Sequence, residues 1–120
     1  MPKNLEISFL MDFYGEMLTE KQREVMEYYY DDDLSLGEIA ANEGITRQGV
    51  RDSIKRAEAQ LLEMEQRLKL AQKFRNVQQG LDHISRAALR IQQCNRDSVC
   101  SREIEKEIDI ILNAVEGLSD

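Results

Sequence analysis

The chain has 120 residues, with 23 acidic against 16 basic side chains and a formal net charge of -7. That length fits one compact domain, or a small domain with a helical appendage, and one proline and six glycines leave a sequence rich in helix formers almost uninterrupted. Apolar runs of only a few residues argue against membrane insertion, and MPKNLEIS lacks the apolar segment of a secretory signal, so the expected setting is the cytoplasm.

The first predicted helix covers residues 4–16, with Leu5, Phe9, Phe13 and Met17 on one stripe. Thr19 opens the second, because Gln22 follows it at capping-box spacing, and the helix ends where Asp31, Asp32 and Asp33 repel one another against an unfavourable C-terminal dipole. Ser35 and Glu38 make a second capping box for a third helix that Gly44 terminates. Thr46 then caps a long fourth helix. Along it Val50, Ile54, Ala57, Leu61, Met64, Leu68 and Ala71 recur at alternating four and three, a heptad seam. A second series, Leu70, Phe74, Val77, Leu81, Ile84, Ala88 and Ile91, is shifted in register, and we expect the bend or break near Gly80. CNRDSVC is expected to be a loop with Asp97 or Ser98 capping a last amphipathic helix over residues 100–117, on which Ile104, Ile108, Ile111, Val115 and Leu118 form a third series. No strand-like alternation occurs, so the fold class is all-α. The expected organisation is a helix-turn-helix domain over residues 1–75, including the long fourth helix, and a C-terminal helical extension over 76–120 suited to oligomerisation. The three series either bury one another in an antiparallel bundle or leave the fourth helix to pair with its mate in a homodimer.

LGEIAANEGITRQGVRDSIKRA carries the helix-turn-helix pattern: a small residue, Ala40, where two helices cross, Gly44 at the turn, and Ile39, Ile45, Val50 and Ile54 as the inner face. With these buried, helical geometry turns Thr46, Arg47, Gln48, Arg51, Asp52 and Lys55 outward, where a recognition helix meets bases and phosphates. Arginine suits guanine edges and phosphates, and glutamine pairs with adenine; we therefore take Thr46, Arg47, Gln48, Arg51 and Lys55 as the candidate nucleic-acid-binding residues. The charge distribution tempers this. Residues 1–34 carry a net charge of -6, 35–57 and 58–80 each +1, and 81–120 carry -3. Phosphate neutralisation dominates nucleic-acid affinity, yet within residues 46–56 Arg47, Arg51, Lys55 and Arg56 face a single acid, Asp52.

LTEKQREV followed by SLGEIAANEGITRQGVRDSIKRAEAQL resembles region 4 of bacterial sigma factors. The order FLMDFYGEMLTEKQ, EYYYDDDLSLGEIA, TRQGVRDSIKRAE is closer still to the YlxM family of small bacterial proteins, over residues 9 to about 75. Arg51 stands where that family commonly has an aromatic residue, and Glu43 where it frequently has an apolar or small one. The resemblance implies a cytoplasmic bacterial protein with a sigma-like helix-turn-helix. It also implies a regulatory or accessory role in the signal recognition particle pathway, beside whose components members are usually encoded. Two readings follow. One is a regulator that binds DNA. The other is an accessory protein that contacts the particle's RNA or GTPases without sequence-specific DNA binding.

The remaining polar clusters read as structural. Cys94 and Cys100 stand with five residues between them and His83 far upstream, a spacing that suits two reduced thiols better than zinc. Asp31–Asp33 lack the alternating ligands and glycine of a calcium loop. Of Tyr28, Tyr29 and Tyr30, one or two are expected in the core and another at the surface. No nucleophile has a histidine partner and no glycine-rich phosphate loop occurs, so neither catalysis nor a cofactor nor a metal is expected.

Overall fold

The computed structural model describes residues 3–119; Met1, Pro2 and Asp120, which the expected domain limits include, lie outside them. The fold is all-α, as the sequence predicts: α1 (Leu5–Tyr14), α2 (Glu20–Tyr30), α3 (Leu36–Glu43), α4 (Arg47–Leu68), α5 (Leu70–Cys94) and α6 (Arg102–Leu118), with a 3-10 turn at Gly15–Met17 and a π turn at Asn95–Val99. Two compact units form, one up to Gln72 and one from Lys73.

In the first unit the caps fall where the local chemistry puts them. Thr19 accepts from the Gln22 N–H at 3.1 Å while the Gln22 carboxamide accepts from the Thr19 N–H at 3.1 Å. Ser35 and Glu38 make the same reciprocal pair. After α2, Asp33 takes a left-handed φ of 58° and pairs with Lys3, whose ammonium also lies 4.8 Å from the centre of the Tyr29 ring. Tyr29 is buried, whereas Tyr28 and Tyr30 are half-buried. The Tyr30 hydroxyl donates to Glu58 at 3.1 Å, tying α2 to α4, and burial together with the Glu58 charge pushes its pKa up to about 12.

The stripe expected on α1 is not the buried one. Ile7, Leu10 and Tyr14 enter the core, while Leu5 is 86% and Met17 63% exposed and Phe9 and Phe13 flank the core half-buried. Both stripes have helical spacing, and only the position of the other helices selects between them. On α4 the expected seam is real but shorter. Val50, Ile54, Ala57 and Leu61 are completely buried against α1, α2 and α3, whereas Met64 is half-buried and Leu68 is exposed. Each buried branched side chain contributes about 1.5–3 kcal/mol. A seam so occupied within one chain is not free to pair with a symmetry mate, which overturns the expectation that the fourth helix makes the dimer.

Nor does the break fall near Gly80, which lies within α5. α4 stops at Leu68, Lys69 takes a left-handed φ of 56°, and α5 begins at once. The cause is a polar cluster. The Tyr14 hydroxyl donates to Glu65 Oε1 at 2.6 Å and accepts the Leu70 N–H at 3.1 Å. Glu65 Oε1 and Oε2 accept the N–H groups of Ala71 and Gln72, each at 3.0 Å. One carboxylate and one phenol thus satisfy the donors that the start of a helix leaves unpaired. Ala71, fully buried, returns to the same core.

In the second unit α6 runs back along α5. Glu105 receives Gln92 at 3.0 Å and Arg96 at 2.7 Å beside the connection, and Val115 and Ser119 share a cleft with Gln78 and Leu81. The expected loop CNRDSVC is mostly helical, and neither Asp97 nor Ser98 caps α6. Ser101 does, accepting from the Ile104 N–H at 3.3 Å. Buried Asn95 locks it in place by donating to the Ser101 carbonyl and accepting its N–H, both at 2.9 Å. Cys94 and Cys100 are exposed free thiols.

Removing the phenol of Tyr14 strips a charge-assisted bond from Glu65 and an acceptor from Leu70, so Tyr14→Phe is expected to lower unfolding free energy by about 1–3 kcal/mol in urea denaturation. Glu65 also confers an acid dependence. Burial alone raises its pKa, but the bonds from Tyr14, Ala71 and Gln72 and the nearby Lys69 charge outweigh this and hold it below the ordinary 4.5. Its stabilisation is therefore complete above pH 4.5 and is lost as pH falls below that value through the folded-state pKa. Unfolding free energies measured across this range should fall less steeply in Glu65→Gln than in the parent; equal slopes would refute the assignment.

Candidate nucleic-acid interface

The helix-turn-helix consists of α3, the turn Gly44–Thr46 and the first half of α4. Gly44 takes φ 68°, a left-handed conformation that glycine adopts without a Cβ penalty. Its N–H and that of Ile45 both donate to the Ala40 carbonyl, at 2.9 and 3.2 Å, closing the end of α3. Thr46 restarts the chain as a helix by accepting from the Gly49 N–H at 2.9 Å. Ile39, Ala40, Val50 and Ile54 form the inner face as expected, but Ile45 is 37% exposed and leans over Gly49 instead of entering the core. A residue within the turn precedes the helical phase that carries the others inward.

All five candidate residues are exposed. Burial of Val50, Ile54, Ala57 and Leu61 orients them: Gln48 and Lys55 stand opposite the buried stripe, with Arg47 and Arg51 toward one flank. They do not present equal chemistry. The Thr46 oxygen is engaged in its cap. Arg47 folds toward the start of α3, where its Nε would lie 3.9 Å from a Cβ on Gly37. The Gln48 amide donates to Asp52 Oδ1 at 2.9 Å, a bond absent from the sequence reading although its i,i+4 spacing signals it. Arg51, Lys55 and the neighbouring Arg56 are exposed, and among the described residues none of the three enters an ion pair. The first turn of α4 carries no acid, unlike those of α2, α3 and α6. Its positive dipole end is left uncompensated.

The helix-turn-helix geometry agrees with what the chain resembles. Residues 1–99 match the family UPF0122, described as "Putative helix-turn-helix protein, YlxM / p13 like". The chain belongs to this family. A UPF0122 protein of Thermoanaerobacter sp. (strain X514) is 42% identical over 115 residues, covering 96% of this chain and 95% of the relative. One from Halalkalibacterium halodurans is 47% identical over 87 residues, 72% of this chain and 80% of its own length. One from Shouchella clausii (strain KSM-K16) is 55% identical over 74 residues, 62% of this chain and 68% of the relative. No helix among the described residues is long and apolar enough to cross a membrane.

The turn supplies a direct check. A Cβ at residue 44 meets nothing within 4 Å, so Gly44→Ala adds no clash and isolates the cost of the left-handed backbone. We expect that cost to be about 1–2 kcal/mol, measured as a drop in unfolding free energy with the denaturant slope unchanged.

Proposed function

We propose that this protein is a helix-turn-helix regulator that binds DNA through the outer face of α4, as a homodimer in the bacterial cytoplasm. Thr46, Arg47, Gln48, Arg51 and Lys55 make the contacts. It acts as a binding protein, not a catalyst, with residues 1–75 engaging the nucleic acid and 76–120 joining copies. The observation that carries this reading is the set of exposed cations Arg51, Lys55 and Arg56, which enter no ion pair among the described residues and project from the helix that follows the Gly44 turn. An acidic protein that holds such cations outside any ion pair has a surface suited to phosphate. Arg51 suits a guanine edge and Lys55 a phosphate, while Thr46 and Gln48 are positioned by the cap and by Asp52. The resemblance to the YlxM family adds a link to the signal recognition particle pathway, with the regulated target in that pathway.

Selection from a random duplex pool should yield one preferred sequence. On it, Arg51→Ala is expected to cost about 1–3 kcal/mol and to relax preference at one position, whereas Lys55→Ala should weaken every sequence alike and lower the salt slope by about 1. Arg51→Ala binding its best sequence as tightly as the parent would sink the assignment. Enrichment of nothing from the DNA pool, with salt-dependent retention of the particle RNA, would overturn DNA as the ligand.

A further inference from the structure

The heptad seams of the second unit are only half covered. On α5 one lane of the seam, Leu81 and Ala88, is buried, and Phe74 in the same lane is half-buried. The other lane, Val77, Ile84 and Ile91, is 48–53% exposed. α6 repeats the division: Ile108 is buried and Val115 half-buried, while Ile104, Ile111 and Leu118 are 37%, 40% and 68% exposed. Six large apolar side chains at seven-residue spacing therefore stand open on a two-helix hairpin. Scattered exposed apolar residues need no partner, but a continuous stripe on adjoining helices does. A hairpin has only two helices with which to cover a seam that four complete.

The charges indicate what covers it. α5 carries Lys73, Arg75, Arg86 and Arg90 against Asp82, a net +3, with His83 neutral. α6 carries Arg102 and Lys106 against five acids, a net -3. A basic helix beside an acidic one is self-complementary: when two hairpins meet about a two-fold axis, α5 of each copy can lie against α6 of the other. The acidic α6 disfavours an anionic lipid surface as the alternative cover.

We propose that the open lanes of α5 and α6 pack against the same lanes of a second copy, forming an antiparallel four-helix bundle that is the dimer interface of this protein. This rests on the proposed homodimer and deepens the joining role of residues 76–120, but it does not depend on the nucleic-acid reading of α4, so the interface and the DNA contact can fail separately.

Sedimentation equilibrium of the full chain, followed across dilution, tests the proposal. The parent is expected at twice 13.9 kDa. Ile84→Gln with Ile111→Gln should sediment as a monomer while keeping its helical circular dichroism. Leu89→Gln with Ile110→Gln, at sites equally exposed but off the seam, should remain dimeric. If the seam variant loses helix, the milder Ile84→Ala with Ile111→Ala should still raise the dimer dissociation constant about tenfold or more. A monomeric parent would overturn the proposal, whether or not it binds anionic vesicles or another protein. So would a folded seam variant that stays dimeric, or dissociation of both variants alike.

Discussion

The first unit depends on one stripe of α4. Val50, Ile54, Ala57 and Leu61 lose all contact with water because α1, α2 and α3 converge on the same side of a single helix. Small domains have little core to distribute, and here nearly all of it is referred to one axis. Fixing that stripe also fixes what the helix shows to solvent. The orientation of Arg51 and Lys55 follows from the burial of residues a few positions away, and no contact made by the cations themselves is required to aim them.

A helix recruited so fully must also be stopped, and stopping it takes a polar device. Tyr14 reaches from α1 to Glu65 near the end of α4, and together they receive the first N–H groups of α5. Lys69 accepts a left-handed backbone in exchange. The cost of that conformation in a residue with a side chain, about 1–2 kcal/mol, is offset by four hydrogen bonds that involve a charge or a largely buried phenol.

Much of this was legible in the sequence. Both capping boxes and the turn glycine depend on residues three or four positions apart, and the inner face of the α3–α4 pair, Ile45 excepted, follows from helical periodicity, so local chemistry decides them. The features that escaped are those set by distant partners. Which stripe of α1 enters the core depends on where α4 lies. The end of α4 depends on Tyr14, more than fifty positions earlier; a glycine such as Gly80 is a local signal, whereas a tyrosine–glutamate pair is not. The two series change register around Leu70, yet the break is expected near Gly80, because the physical cause of the stop at Lys69 is not a local pattern. Ser101 caps α6 where Asp97 or Ser98 is expected, because the Asn95 carboxamide bonds both backbone groups of Ser101 and so selects among residues that all have cap chemistry. On the outer face, exposure of the candidate residues follows from periodicity and the Gln48–Asp52 bond is signalled by its i,i+4 spacing, while the folded-back Arg47 requires side-chain positions.

That bond gives the outer face of α4 a built-in competitor. As long as Asp52 holds the Gln48 amide, a polar group opposite the buried stripe is already engaged, and a carboxylate sits among the cations. Any ligand that addresses Gln48 must displace Asp52 and tolerate its charge. Only a ligand that returns an equivalent donor–acceptor pair recovers the loss. Under the proposed nucleic-acid role, such a surface would trade tightness for discrimination.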